Sequence, residues 1–256
     1  MNVYAPVARD DKFLVIQSQD GEGNPNTPTD YVVSMGNTQY AQERIIAMVP
    51  KFASVPNVFY NATTLFNTII LSSNGNPDVT VTLTPGFYNL NDVQAAINAA
   101  LISGGYPPVT LAGNLSGPFA GKIISSSSVP HQYFVAGTFS ARLGLTTDTS
   151  NSTTVIFDST ANLNYPTEIH VHVDTAQTST LNSHKQVVDK LDIIENSVEW
   201  GQTNYHTHND INIHQITFND ARNIASMHVT LRDSEGNILE CVPGMNNVHF
   251  IKLFFA

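Results

Sequence analysis

Charge is the first thing this sequence lacks. Asp, Glu, Lys and Arg make up 12% of its 256 residues, against roughly 25% in ordinary soluble domains. Asn, Ser and Thr supply much of the polarity instead. A surface kept polar with so little charge suits one that ends against other protein, because interface cores are depleted in charged residues. The charge present is acidic, with 11 basic residues against 21 acidic ones and a formal net charge of −10. No Lys/Arg cluster occurs. Direct nucleic-acid binding, which needs a basic face to displace counterions from phosphates, is therefore not expected. Docking on an anionic membrane surface fails for the same reason. Cysteine is nearly absent: Cys241 stands alone, so neither an internal disulfide nor a thiolate metal cluster is possible. Long apolar runs are also missing. No stretch approaches the ~20 residues of a membrane-spanning helix, and the opening MNVYAPVARDDK has no apolar signal core. The expected compartment is a reducing interior, or a particle assembled there.

What is present is a chain of strands. Hydrophobic residues reach 41% and aromatics 9%, enough for a packed core. KFLVIQSQ, YVVSM, ERIIAMVPKF and FNTIILSS read as strands, the last turning at Asn74-Gly75 into VTVTL. One helix interrupts them, in TPGFYNLNDVQAAINAAL. Asn91 with Gln94 reads as its cap, Val93, Ala96, Ile97, Ala100 and Leu101 form one apolar stripe, and Gly104-Gly105 end it. GKIISSSS and QYFVAG follow as two strands, and FSARLGL as a single helical turn. Strands then resume. EIHVHVD alternates Ile169, Val171 and Val173 with His170, His172 and Asp174. KQVVDKLDII reads as a strand, DINIHQITF as one with a bulge between Ile213 and Ile216, and SMHVTLRDSEGNILEC as a hairpin. VHFIKLFFA reads as a closing strand.

Strands at both ends with a mixed unit between them imply one β domain carrying an insertion. The expected fold is mainly β, a single jelly-roll β-sandwich with an inserted small α+β subdomain. Residues 1–75 and 161–256 would form the sandwich, and 76–160 the insert.

Several segments, taken in order, resemble the penton (minor capsid) proteins of virophages and polinton-like viruses. They are FLVIQSQDGEGNPNTPTDYVV, IIAMVPKFASVPNVFYN, the TPGFYNLNDVQAAINAAL helix with KIISSSS and FSARLGL, and IASMHVTLRDSEGNILE with HFIKLFF. The resemblance implies a structural virion protein, not an enzyme. It would assemble as a homopentamer at icosahedral vertices, against the major capsid protein, in a capsid built inside the host cell. The insert would project outward, where a host surface glycan is a further possible partner.

The histidines are the residues that invite a catalytic reading. His170 and His172 share a strand face, His206 and His208 have the same spacing, and His214 follows. The pattern suggests a cupin-like metal enzyme, but Asn164 and Gln177 stand where that motif needs Gly and Glu. These histidines are expected as outward polar positions, with pH sensing at a subunit boundary as the alternative. Asp189, Asp192 and Glu195 read as a solvated face and Cys241 as a small packed residue, while Trp200 and Tyr205 are a core aromatic or a sugar platform. GNLSG has the wrong spacing for a nucleophile elbow. Sequons at Asn61, Asn114 and Asn151 read as polar loop sequence. No catalytic, cofactor-binding or metal-ligating residue is assigned, and no cofactor is expected. A glycan-binding attachment module is the rival reading from another class.

Overall fold

A computed structural model describes residues 13–18, 28–34, 45–114, 116–175, 190–207, 216–222, 224, 226–242 and 250–255. The strands are β1 (Phe13–Gln17), β2 (Asp30–Ser34), β3 (Ile45–Pro56), β4 (Thr68–Ser73), β5 (Val79–Thr82), β6 (Val109–Gly113) and β7 (Ile123–Phe134). They continue with β8 (Ser152–Ile156), β9 (Glu168–Thr175), β10 (Lys190–Glu195), β11 (Thr203–Thr207), β12 (Ile216–Arg222), β13 (Ser226–Arg232) and β14 (Phe250–Phe255). Helix α1 spans Leu90–Ser103. Two compact units result, one from Met1–Val58 with Pro166–Ala256, the other from Phe59–Tyr165.

The discontinuous unit is a jelly roll. Its strands pair like one long folded hairpin: β1 with β14, β2 with β13, β3 with β11 and β12, and β9 with β10, all antiparallel. Rolling that hairpin adds the pairs β14–β3 and β13–β9. The products are two sheets, β1-β14-β3-β11 (with β12 also on β3) and β10-β9-β13-β2. Each sheet alternates early and late strands, the winding of two Greek keys. Period-two alternation fills the interior with Tyr31 and Val33, Ile169, Val171 and Val173, and Met227, Val229 and Leu231. Ile16, Val49, Ala53 and Val55 are buried in the other sheet. Pro50, which has no N–H to donate, sits where β3 and β14 shift register between Lys252 and Leu253.

The second unit has its own sheet, β5-β4-β7-β6 with β8 on β7, and its own core. Val93, Ile97 and Leu101 of α1 pack there with Ile69, Leu71, Tyr133, Phe139, Leu143 and Phe157. Asn74 and Gly75 take φ of 54° and 70°, the two-residue turn that matches strand twist. The unit begins at Phe59 and not at residue 76, and it ends at Tyr165 and not at 160. The reason is pairing: β4 bonds β5 and β7 of this unit. Asn61 also ties its entry, where the side chain donates to Tyr88 O (2.7 Å) and Leu163 O (2.8 Å) and accepts from Tyr88 N (2.8 Å).

Other expectations shift locally. The cap of α1 is Asn89, whose side chain accepts from Asn91 N and Asp92 N while its own N–H donates to Asp92 Oδ2. Asn89 is still extended, at φ −81° and ψ 175°, and the helix begins at Leu90, so the cap falls two residues before Asn91. Gln94 is thereby released to accept from Leu111 N, and Asn98 holds both N and O of Val109. GKIISSSS and QYFVAG are not two strands but parts of one, β7. Pro130 lies within it at a register shift against β8. The expected helical turn is a 3-10 turn, Ser140–Leu143. NILEC contributes only bridges, Ile238 to Arg232 among them, instead of a full hairpin arm. The expected bulge at residues 213–216 starts outside the described residues, and a register shift is seen between Thr217 and Arg222.

Candidate functional site

The sequence histidines separate into two environments. His170 and His172 lie on the face of β9 opposite Ile169, Val171 and Val173, with ring centroids 6.5 Å apart, but His170 is buried at 7% exposure and is not the solvated position expected of it. His170 Nε2 lies 3.0 Å from Glu168 Oε2. On the neighbouring strand His228 bonds Asp30, and Arg232 donates to Thr230 Oγ1 and to Gly236 O. This outer face is a tethered polar layer. His206 differs from expectation. It pairs with Ala53, an inward position of β3, and its Nε2 lies 3.9 Å from Asp192 Oδ1. His208 and His214 lie outside the described residues.

Asp192 is likewise not on a solvated face. The β10 register shifts between Lys190 and Asp192, so Asp192 pairs with Val171 and turns inward, where it is 1% exposed. A one-residue slip moves a side chain to the other face of a sheet. Glu195 stays exposed, and Asp189 is outside the described residues. Among the described residues, no three His, Cys, Asp or Glu side chains gather as metal ligands.

The remaining candidates resolve individually. Trp200 is 42% and Tyr205 74% exposed, so neither is a core residue, and Tyr205 stacks on Phe52 at 6.3 Å. Cys241 is buried, and burial pushes its thiol up to about 12. Such a thiol is a poor nucleophile. Asn61 is 0% exposed with both amide hydrogens committed, which closes that sequon to modification in the folded unit.

Sequence reading passed over a buried polar cluster in the Phe59–Tyr165 unit. Ser125 Oγ lies 2.8 Å from His131 Nε2 and 2.9 Å from Tyr133 Oη. These three side chains are 0%, 1% and 0% exposed. His131 Nδ1 is 3.4 Å from Val129 O. If Nδ1 carries the hydrogen toward Val129, Nε2 accepts from Ser125 and Ser125 accepts from Tyr133. Burial pushes the His131 pKa down, partly offset by the Val129 carbonyl, and it pushes the Tyr133 phenol up against the opposing bond from Ser125. The Ser–His distance is that of a nucleophile and its base, but both groups are sealed from solvent and no substrate can reach them. The available signal was spacing: residues 125, 131 and 133 share one face once β7 is read as a single strand.

No protein-family model matches the chain, and no curated protein matches it. Among solved structures it is similar to the crystal structure of selenomethionine-labelled mavirus penton protein. The identity is 10%, the match covers 95% of this chain and 99% of that one, and the TM-score is 0.48.

Proposed function

We propose that the chain is a structural virion protein, a penton or minor capsid subunit that forms homopentamers at icosahedral vertices and closes the shell against the major capsid protein. The observation that carries this reading is the strand order. Two sheets ordered β1-β14-β3-β11 and β10-β9-β13-β2, with a self-contained unit between β3 and β9, make a jelly roll of the kind found in capsid proteins. Lectins and cupins use the same architecture. Two things favour the capsid: the ordered sequence resemblance to pentons, and a low-charge surface rich in Asn, Ser and Thr, suited to repeated subunit contacts. The working part is geometric, with sandwich flanks burying against identical neighbours, and no catalytic step is involved.

Native mass spectrometry of the full chain tests the proposal. Metal-free pentamers are the expected species, and mixing with the cognate major capsid protein should restore shell closure. Monomers at every concentration, or stoichiometric zinc, iron or manganese, would overturn it. Glycan-array binding without pentamer formation would reassign the chain to host attachment.

A further inference from the structure

We propose that the Tyr133–Ser125–His131 cluster is a proton-operated latch that holds the Phe59–Tyr165 unit closed at neutral pH and loosens it in mild acid. With His131 neutral, the hydrogen bonds run one way: Tyr133 O–H to Ser125 Oγ, Ser125 O–H to His131 Nε2, and His131 Nδ1–H toward Val129 O. Each buried group is then satisfied. Adding a proton to Nε2 turns an acceptor into a donor. Ser125 must then receive from the imidazolium; whether it also goes on accepting from Tyr133 or turns its own hydrogen toward that phenol, one of the two hydroxyl hydrogens is left without an acceptor in the cluster. A buried charge and an orphaned hydroxyl both favour an open state in which water reaches the cluster.

The surroundings offer the imidazolium no compensation. Strands β4, β6 and β8, which pair with β7, contain no ionisable side chain, nor does β5. The only acid on α1 is Asp92, engaged at the helix cap. Around the cluster, Asp148 accepts from Val135 N and Asp158 is held by Thr146 and Thr147. Arg142 lies over the Tyr165 and Phe66 rings, and Lys122 bonds Asp158 O. Asp78, the remaining charged residue of the unit, lies between β4 and β5 and is exposed. Tyr133 is the one titratable group that His131 touches in these bonds and ring contacts. His131 is also the only histidine between residues 59 and 165.

The direction of the pH response follows from linkage. A histidine whose folded pKa lies below its unfolded value of 6.5 gives stability that is complete above that value. The stability is lost as pH falls through the folded pKa. Opening should therefore rise by up to about tenfold per pH unit within that window.

Two measurements on the full chain test the latch. In NMR titrations of histidine-labelled protein, the His131 ring resonance should have a midpoint below 6.5. It can be assigned by its loss in His131→Gln or by proximity to the Tyr133 ring. Hydrogen exchange, compared at matched intrinsic rates, should show β7 and β4 losing protection between pH 7.5 and 5 in the wild type but not in His131→Gln, whose amide can accept from Ser125 without charging. His131→Asn serves if the Gln variant does not fold. A midpoint at or above 6.5, or parallel loss of protection in wild type and variant, would overturn the proposal.

Discussion

Asn61→Ala is the sharpest test of how the Phe59–Tyr165 unit is closed. Asn61 is 0% exposed, and its side chain makes three hydrogen bonds of 2.7–2.8 Å to Tyr88 N, Tyr88 O and Leu163 O. Leu163 is near the chain's exit from the unit and Tyr88 just precedes α1, so one amide joins entry, helix and exit. Alanine strips all three partners at once without giving them substitutes. A hydrogen bond contributes about 0.5–1.5 kcal/mol net, and a buried group left unsatisfied costs about 1–3 kcal/mol. Because Tyr88 and Leu163 are half-buried, water can recover part of that loss, and the expected destabilisation is about 2–4 kcal/mol. Denaturant titration of the full chain should lower the midpoint of the unit's transition. Hydrogen exchange should place the lost protection at Ala62, Gly86 and Tyr88, where Ala62 and Gly86 exchange backbone bonds of 2.8–3.0 Å. A destabilisation under about 1 kcal/mol, or loss spread evenly over β7 and α1, would refute the reasoning.

Three further outcomes are expected. Gly144→Ala should destabilise the unit by more than about 2 kcal/mol, because φ is +87° and a Cβ would meet Ser159 O at 2.3 Å. Gly105→Ala, at φ +76° with open space around it, should cost less in the same denaturant titration. At Asp158, burial works to raise the pKa, but bonds from the Thr146 hydroxyl, the Thr146 N–H and the Thr147 hydroxyl outweigh it and hold the carboxyl at about 2. That group's stabilisation should therefore be present above about pH 4 and fade as pH falls toward 2, a slope that Asp158→Asn should lack in acid titrations. Cys241, buried with its thiol pushed up to about 12, should react with a thiol reagent at pH 8 only on denaturation. Full reaction in the native state would contradict its burial.

The sequence made some of this architecture legible and hid the rest for identifiable reasons. Alternation in EIHVHVD placed Ile169, Val171 and Val173 in the interior correctly, since period two is a property of the strand alone. The apolar row of α1 was equally visible. Asp192 and His206 were misplaced because their faces depend on a register shift in one case and a partner strand in the other, neither of which is local. GKIISSSS and QYFVAG read as two strands, yet they belong to one, because β7 carries Pro130, which lacks a ladder donor, at a shift against β8. The boundary of the insert moved because β4 resembles the sandwich strands in composition and differs only in what it pairs with. The Ser125–His131–Tyr133 cluster disappeared with the same misreading of β7.

The solitary helix acquires a physical role from these pairings. Among the described residues β7 is the one strand that pairs with β6, and an unpaired edge is a template for joining another chain. Helix α1 presents two rows to the sheet. Val93, Ile97 and Leu101 enter the core. One residue on, Gln94 and Asn98 reach β6 backbone, where Asn98 both donates to Val109 O and accepts from Val109 N, and Gln94 accepts from Leu111 N. The amides supply the bonds that a further strand would have made. A second strand in place of the helix could cover the same core residues, but it would leave another edge exposed beyond itself. A helix keeps its backbone bonds internal, so the sheet stops there. In a chain otherwise made of strands, one helix is therefore the means by which the β6 edge of a small open sheet ends without recruiting a neighbour.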